Sequence, residues 1–170
     1  MTEEIVYSTG ECFLGALLVA TSSRGVCAIL LNDHAAGLVR ELHRQFPGAK
    51  PRDGLPLVDK VAAFVAEPAR GLDAPLDMRG NAFQQRVWQA LREIPAGATR
   101  TYTDVAVRIG APQSAQEVGE ACAANTLAVA VPCHRVVRKD GGLAGYRWGV
   151  KRKRALLERE SGSDRLAARP

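Results

Sequence analysis

The sequence predicts an α/β fold in two parts: a small antiparallel sheet with helices at the N-terminus, then a mainly helical domain with a winged helix-turn-helix. Three observations carry this expectation. Phe13 to Ala20 and Gly25 to Leu31 are β-rich, partly alternating segments around a polar TSSR stretch at 21–24. Apolar residues recur at helical spacing in two later segments. In the second half, two short helical patterns flank the Gly/Pro turn GAPQ at 110–113.

Each element follows from its residues. A further strand is expected near Ile5 to Tyr7, ahead of the hairpin. Leu38, Leu42 and Phe46 stand four apart in 35–46, and Leu57, Val61, Phe64 and Val65 share one face of 57–66; Pro47 and Pro68 help to stop these helices. The run GLDAPLDMRGN at 71–81 has no helical period and reads as an extended connector, so the domain boundary is placed after Arg79, giving domains 1–79 and 80–170. Asn81 caps a helix running to about Ile94. Helices over 103–109 and 114–124 have helix-turn-helix spacing, although two short helices joined by a turn are also ordinary helical packing. A last helix starts near Arg152 with Leu156 and Leu157 inward and Glu160 on its final turn, and the tail from Ser161 is expected to fray.

Composition excludes several classes. At 170 residues and 46% apolar content the chain can bury a core. No apolar run reaches the roughly 18 residues that span a bilayer, and the acidic start MTEEIVYSTG is unlike a signal peptide, so neither membrane insertion nor export is expected. The four cysteines, Cys12, Cys27, Cys122 and Cys133, lack C-x-x-C spacing, which points to reduced thiols in a cytoplasm. Cys12, Cys27 and His34 have no recognisable zinc spacing, and no metal is expected. Charge is uneven: residues 1–79 carry 8 basic and 10 acidic side chains, residues 80–170 carry 15 and 8, so the second half is the candidate for a polyanionic partner.

The most informative stretch is VPCHRVV at 131–137. A cysteine is a strong nucleophile only as the thiolate, and His134 and Arg135 are groups that could lower the thiol's pKa. An inert buried thiol is the competing reading of a cysteine among valines.

The motifs GNAFQQRVWQALREIPAG (80–97), TYTDVA (101–106), ACAAN (121–125), AVAVPCHRVV (128–137) and GYRWGVKRKRALL (145–157), with GVCAILLND (25–33) in the first half, resemble the O6-alkylguanine-DNA alkyltransferases. The likeness is strongest to the C-terminal half of the bacterial adaptive-response protein and covers nearly the whole chain.

This resemblance implies a DNA-repair activity that flips O6-alkylguanine out of duplex DNA and moves the alkyl group irreversibly to Cys133, each molecule acting once. It implies that His134 takes the thiol proton through a bound water and that Glu160 orients His134. Tyr102 corresponds to the residue that donates a proton to the guanine ring, and Asn125 to the amide that ties the recognition helix to the nucleophile segment. Tyr146, Arg147 and Trp148 belong to the loop that walls the base pocket, although Trp148 also suits a core. The backbone around Cys133 and Val136 supplies hydrogen bonds to the base, while Gln116, Ala123 and Arg135 stand among the substrate- and DNA-contacting positions. Flipping is required because the O6 substituent is inaccessible inside a duplex. The implied partner is double-stranded DNA containing O6-alkylguanine, bound through the minor groove by a monomer, with no cofactor.

The chain departs from the family at Gln116, where most relatives carry an arginine that enters the duplex. Glutamine lacks the charge and stacking plane of a guanidinium, so weaker duplex binding is expected, leaving a variant that reacts mainly with free O6-alkylguanines as the alternative. Glu117 and Glu120 lie three apart on the same helix, where carboxylates facing phosphates would be repelled. The four close-spaced cysteines of the adaptive-response protein's gene-activating half are missing, so no transcription-factor role is expected. A non-catalytic alkylated-DNA binder would have lost the cysteine, and a plain helix-turn-helix regulator would leave Cys133, Tyr102 and Glu160 unexplained.

Overall fold

Three adjacent strands, β1 (Val6–Cys12), β2 (Gly15–Ser22) and β3 (Gly25–Asn32), form an antiparallel meander. They belong to a computed structural model that describes residues 4–168, with side chains described through Ser161. The expected strand at Ile5 to Tyr7 runs on to Cys12, and the one expected from Phe13 begins at Gly15, because Phe13 and Leu14 form the β1–β2 turn. A two-residue strand, β4 (Lys50–Pro51), adds to β1 in parallel, giving the order β3-β2-β1-β4. The sheet is therefore mixed rather than purely antiparallel. Two residues carry no periodicity, so β4 is invisible to pattern reading.

Helices α1 (Ala35–Gln45) and α2 (Pro56–Ala66) pack on this sheet, placing Leu38, Leu42, Val61 and Val65 in the core. The interiors of β2 and β3 are buried without a break from Ala16 to Ala20 and from Val26 to Leu31, which explains why their alternation is only partial. The outer edge of β3 is also covered. Val26 donates to the Pro75 carbonyl (2.9 Å), Ile29 donates to the Thr126 carbonyl (2.8 Å), Ala128 donates to the Ile29 carbonyl (3.0 Å), and the Thr126 hydroxyl donates to the Cys27 carbonyl (3.1 Å). An unpaired edge would invite association with another strand. Gly25 makes this possible: its φ is +142° and a Cβ would stand 2.4 Å from the Pro75 oxygen.

The chain divides into two units, Met1–Arg79 with Thr126–Ala128, and Gly80–Asn125 with Val129–Pro170. The expected division at 79/80 makes no provision for Thr126–Ala128, which joins the first unit through its pairing with β3.

The second unit is mainly helical. α3 (Ala82–Arg92) starts with a capping box in which Asn81 Oδ1 accepts from the Gln84 amide (2.8 Å) and Gln84 Oε1 accepts from the Asn81 amide (3.0 Å). Thr101 and Asp104 form a second box at α4 (Tyr102–Arg108), and α5 (Ala115–Ala123) completes the helix-turn-helix. Trp88 ties α3 to α5 by donating from Nε1 to the Ala121 carbonyl (2.9 Å). Before α4, β5 (Arg100–Thr101) pairs in parallel with β6 (Val136–Val137), fixing the segment that follows Cys133 beside the start of α4. α6 (Val150–Ala168) begins two residues earlier than expected, after Gly149 at φ +100°. The tail from Ser161 does not fray but continues this helix through Ala168, and the expectation for Arg169 and Pro170 lies outside the described residues.

Replacing Asn81 by Ala removes one half of the α3 box and is expected to cost about 1 kcal/mol. Urea denaturation checks this: an unchanged midpoint would mean the cap contributes nothing.

Candidate active site

Cys133 opens a single 3₁₀ turn, Cys133–Arg135, directly after Pro132. The approach to it is tightly constrained. The Asn125 side-chain amide donates to the Val131 carbonyl (2.9 Å) and to Cys133 Sγ (3.4 Å), and the Cys133 amide donates to the Val131 carbonyl (2.8 Å). Between these residues Val129 takes a φ of +69°, a left-handed conformation that costs a β-branched residue about 1–3 kcal/mol. The surrounding bonds must offset that strain.

The thiol lines a cavity of about 390 Å³. Tyr102 from α4, Tyr146 and Arg147 from the loop before α6, and the small residues Gly119, Cys122, Ala123 and Gly145 form its walls. Larger clefts of about 670 and 430 Å³ lie on the α3–α4 side, but their linings hold neither Cys133 nor Tyr102. Chemistry, not size, therefore selects the cavity at Cys133.

Glu160 on α6 anchors the two side chains that follow Cys133. Its carboxylate accepts from His134 Nε2 (2.9 Å) and from Arg135 Nη2 (2.7 Å) and Nε (3.1 and 3.2 Å), and all three side chains are buried. Burial opposes ionisation of Glu160, but the hydrogen bonds from His134 and Arg135 and the Arg135 charge outweigh it and lower the carboxyl to about 2. Burial depresses His134 more than Glu160 raises it, so the imidazole is neutral. An ionised carboxylate only accepts, so Nε2 holds the proton and Nδ1 the lone pair. Nδ1 is buried and bonded to no described protein group. This is the arrangement of a base held in one tautomer.

The thiol itself is raised by burial, an effect only partly countered by the Asn125 bond, by Lys153, by its own backbone and by Arg147. The expectation that His134 and Arg135 lower it directly is not met, since His134 is uncharged and Arg135 is engaged with Glu160. Arg135 also donates to the Ile94 carbonyl (2.6 Å), so its guanidinium is engaged inside the protein. Tyr102 is pushed up to about 12 by burial, with charge on Cys122 and Cys133 acting the same way, so its phenol is a proton donor throughout the neutral range.

The other expected positions separate. Tyr146, Arg147 and Ala123 line the cavity. Trp148 lies behind it, 4% exposed, edge-on to Tyr146 and stacked under the Arg147 guanidinium, which also donates to the Asn125 carbonyl (2.7 Å). Val136 is buried, its carbonyl accepting from Lys153 Nζ (2.7 Å). Gln116, Glu117 and Glu120 are exposed on α5 and do not line the cavity. Sequence reading misses Cys122 and Lys153. Cys122 lies in ACAAN without a chemical partner in sequence, and Lys153 sits in a Lys-Arg-Lys-Arg run at 151–154.

The site and fold are those of a cysteine-centred protein built on a helix-turn-helix, and comparison places it in a family. Residues 82–162 match the model described as 6-O-methylguanine DNA methyltransferase, DNA binding domain. The chain is 51% identical over 162 residues to the bifunctional transcriptional activator/DNA repair enzyme Ada of Escherichia coli, covering 91% of this chain and 45% of that protein. It is 39% identical to a methylated-DNA–protein-cysteine methyltransferase of Mycolicibacterium paratuberculosis, covering 92% of both. Among solved structures, Mycobacterium tuberculosis OGT in complex with DNA superposes with a TM-score of 0.80 at 38% identity, covering 92% of this chain and 93% of that one. The chain belongs to the O6-methylguanine-DNA methyltransferase family. It spans a little under half the length of Ada.

The Glu160 carboxyl is depressed in the folded state, so its stabilisation is present above its ordinary value near 4.5 and drains away as the pH falls toward about 2. Glu160→Gln is expected to cost about 3 kcal/mol at pH 7, because it leaves the Arg135 guanidinium uncompensated, and to flatten stability between pH 4.5 and 2. Denaturation midpoints across that range decide: parallel curves for the two proteins would show that Glu160 contributes no such linkage.

Proposed function

We propose that this chain is a single-use DNA-repair alkyltransferase: it binds double-stranded DNA containing O6-alkylguanine, turns the damaged nucleotide into the cavity at Cys133, and takes the alkyl group onto Sγ. One observation carries the reading: a buried thiol and a phenol donor share a cavity, and a neutral, carboxylate-anchored histidine directly follows the thiol in the chain. A cavity of about 390 Å³ lies in the range of small-molecule sites. The family, and relatives named as methylated-DNA–protein-cysteine methyltransferases, support it.

The steps follow from the side chains. His134 accepts the Cys133 proton at Nδ1, as the resemblance implies, through a water. Sγ attacks the alkyl carbon as the carbon–O6 bond breaks, and the electron pair passes into the guanine ring. Tyr102 donates its proton to the ring as that charge develops, for which a phenol held protonated is suited. The products are an unmodified guanine and a thioether on Cys133. A thioether is not hydrolysed back to a thiol under cellular conditions, so each molecule acts once. Asn125 holds Sγ in line, Arg147 and Tyr146 wall the base, and no cofactor enters.

DNA engagement is assigned to the helix-turn-helix of α4 and α5 in the minor groove, where indifference to sequence suits damage that occurs anywhere. The four cysteines, which form no disulfide among the described residues, fit a reducing cytoplasm, and a monomer suffices for the chemistry. The exposed Gln116, Glu117 and Glu120 favour a protein that grips duplex less firmly than relatives carrying arginine at the Gln116 position.

Intact-protein mass spectrometry after incubation with a duplex containing one O6-methylguanine tests the reading. Wild type should gain about one methylene mass at Cys133, and Cys133→Ser none; Tyr102→Phe should slow transfer about a hundredfold. No adduct on wild type from duplex or from free O6-benzylguanine would leave only a binding role. Gln116→Arg should tighten duplex binding about tenfold, an estimate from one added charge-assisted contact, and unchanged affinity in a titration would remove the weakened-grip reading.

A further inference from the structure

Two thiols line the cavity, and the repair chemistry uses one of them. Cys122 stands on the last turn of α5, 8% exposed, with Gly119 one turn before it and Ala123 beside it on the same wall. Asn125 ties the two cysteines together. Its backbone amide donates to the Cys122 carbonyl (3.2 Å), and its side-chain amide donates to Cys133 Sγ (3.4 Å). The Trp88 indole holds the preceding carbonyl, that of Ala121, so the end of α5 is fixed against α3. Cys12 and Cys27 belong to the first unit and line no part of this cavity.

The two thiols are not equivalent. Burial raises both, but Cys133 has the Asn125 hydrogen bond, Lys153, its own backbone and Arg147 acting against that rise. Cys122 has Lys153 alone, and charge on Cys133 raises it further. Cys122 therefore stays a thiol while Cys133 attacks. Once Cys133 has taken an alkyl group, its sulfur is an uncharged thioether and that repulsion ends. Sulfur is intrinsically a strong nucleophile, so a neighbouring thiol outcompetes water for any reactive carbon left in the cavity.

We propose that Cys122 is a second acceptor: when the group taken by Cys133 carries a leaving group on its next carbon, as an O6-(2-haloethyl)guanine would supply, Cys122 displaces it and a two-carbon bridge joins the sulfurs. The inference rests on reading Cys133 as the reacting thiol. The first transfer leaves Cys133 as a haloethyl thioether. Its sulfur lone pair displaces the halide, which departs with the bonding electrons, and a three-membered sulfonium ring closes. Cys122 Sγ attacks a ring carbon, the carbon–sulfonium bond returns its pair to the Cys133 sulfur, and the Cys122 proton passes to water. One halide and one proton are released, and nothing is oxidised or reduced. A haloethyl thioether facing bound duplex would alkylate it and tie the protein to its own product. The bridge consumes that electrophile inside the cavity.

The small probe 1,2-dibromoethane delivers the same two-carbon unit without DNA. The whole chain is incubated with it, its intact mass is measured, and it is then digested with a protease that cuts after Leu127, between the two cysteines. Wild type should show a net gain of two carbons and two hydrogens, and the peptides carrying Cys122 and Cys133 should stay joined. In Cys122→Ala the bromoethyl adduct at Cys133 should persist about tenfold longer and end as a hydroxyethyl thioether, because water replaces a neighbouring thiol. If the Ala variant does not fold, Cys122→Ser, closer in size, carries the same outcomes. Bromoethane, with one leaving group, should ethylate Cys133 before Cys122. A hydroxyethyl adduct on wild-type Cys133 with Cys122 unmodified, equal bromoethyl lifetimes in wild type and variant, or Cys122 ethylated first would overturn the proposal. Methyl transfer from duplex O6-methylguanine is measured in parallel. A bridge without methyl transfer would refute the repair function and leave the second acceptor standing, whereas methyl transfer without a bridge would refute the second acceptor alone.

Discussion

The buried carboxylate of Glu160 is the constraint on which the active site depends. It accepts from both His134 and Arg135, which follow Cys133 in the same turn. Because the carboxylate is ionised and only accepts, it dictates which imidazole nitrogen bears the proton and leaves the other as a base. Arg135 then neutralises the same carboxylate and reaches the end of α3 through the Ile94 carbonyl. A single carboxylate thus sets both the tautomer of the base and the anchorage of the turn that carries Cys133.

The thiol is placed where ionisation is hard. Full enclosure raises it, and the site answers with a hydrogen bond from Asn125, a buried ammonium at Lys153 and a strained backbone at Val129 that aims Pro132 and Cys133 at the cavity. Such an arrangement shields a buried thiol from electrophiles in solution while leaving it open to a group that enters the cavity. The same segment leaves α5, contributes Thr126–Ala128 to the edge of β3, and returns through Val129.

Much of this was legible in the sequence where local pattern and chemistry coincide. The capped start of α3 at Asn81, the helix-turn-helix around residues 110–113 and the pairing of Glu160 with His134 follow from spacing or from the family motifs. What escaped had no local signature. β4 and the β5–β6 pair are two residues long, too short for any period to show. The resemblance sets Arg135 among the DNA-contacting positions, and only the fold shows its guanidinium turned toward Glu160. Nothing in the Lys-Arg-Lys-Arg run at 151–154 singles out Lys153, and only the fold turns it inward to the Val136 carbonyl. Burial of polar groups is decided by tertiary contacts, which composition does not encode.

The ¹⁵N chemical shifts of the His134 ring at neutral pH show whether Glu160 fixes a neutral imidazole with its lone pair on Nδ1. A protonated, hydrogen-bonded Nε2 and an unprotonated Nδ1 are expected, persisting well below the pH at which an exposed histidine titrates. An imidazolium at neutral pH, or a proton on Nδ1, would contradict it.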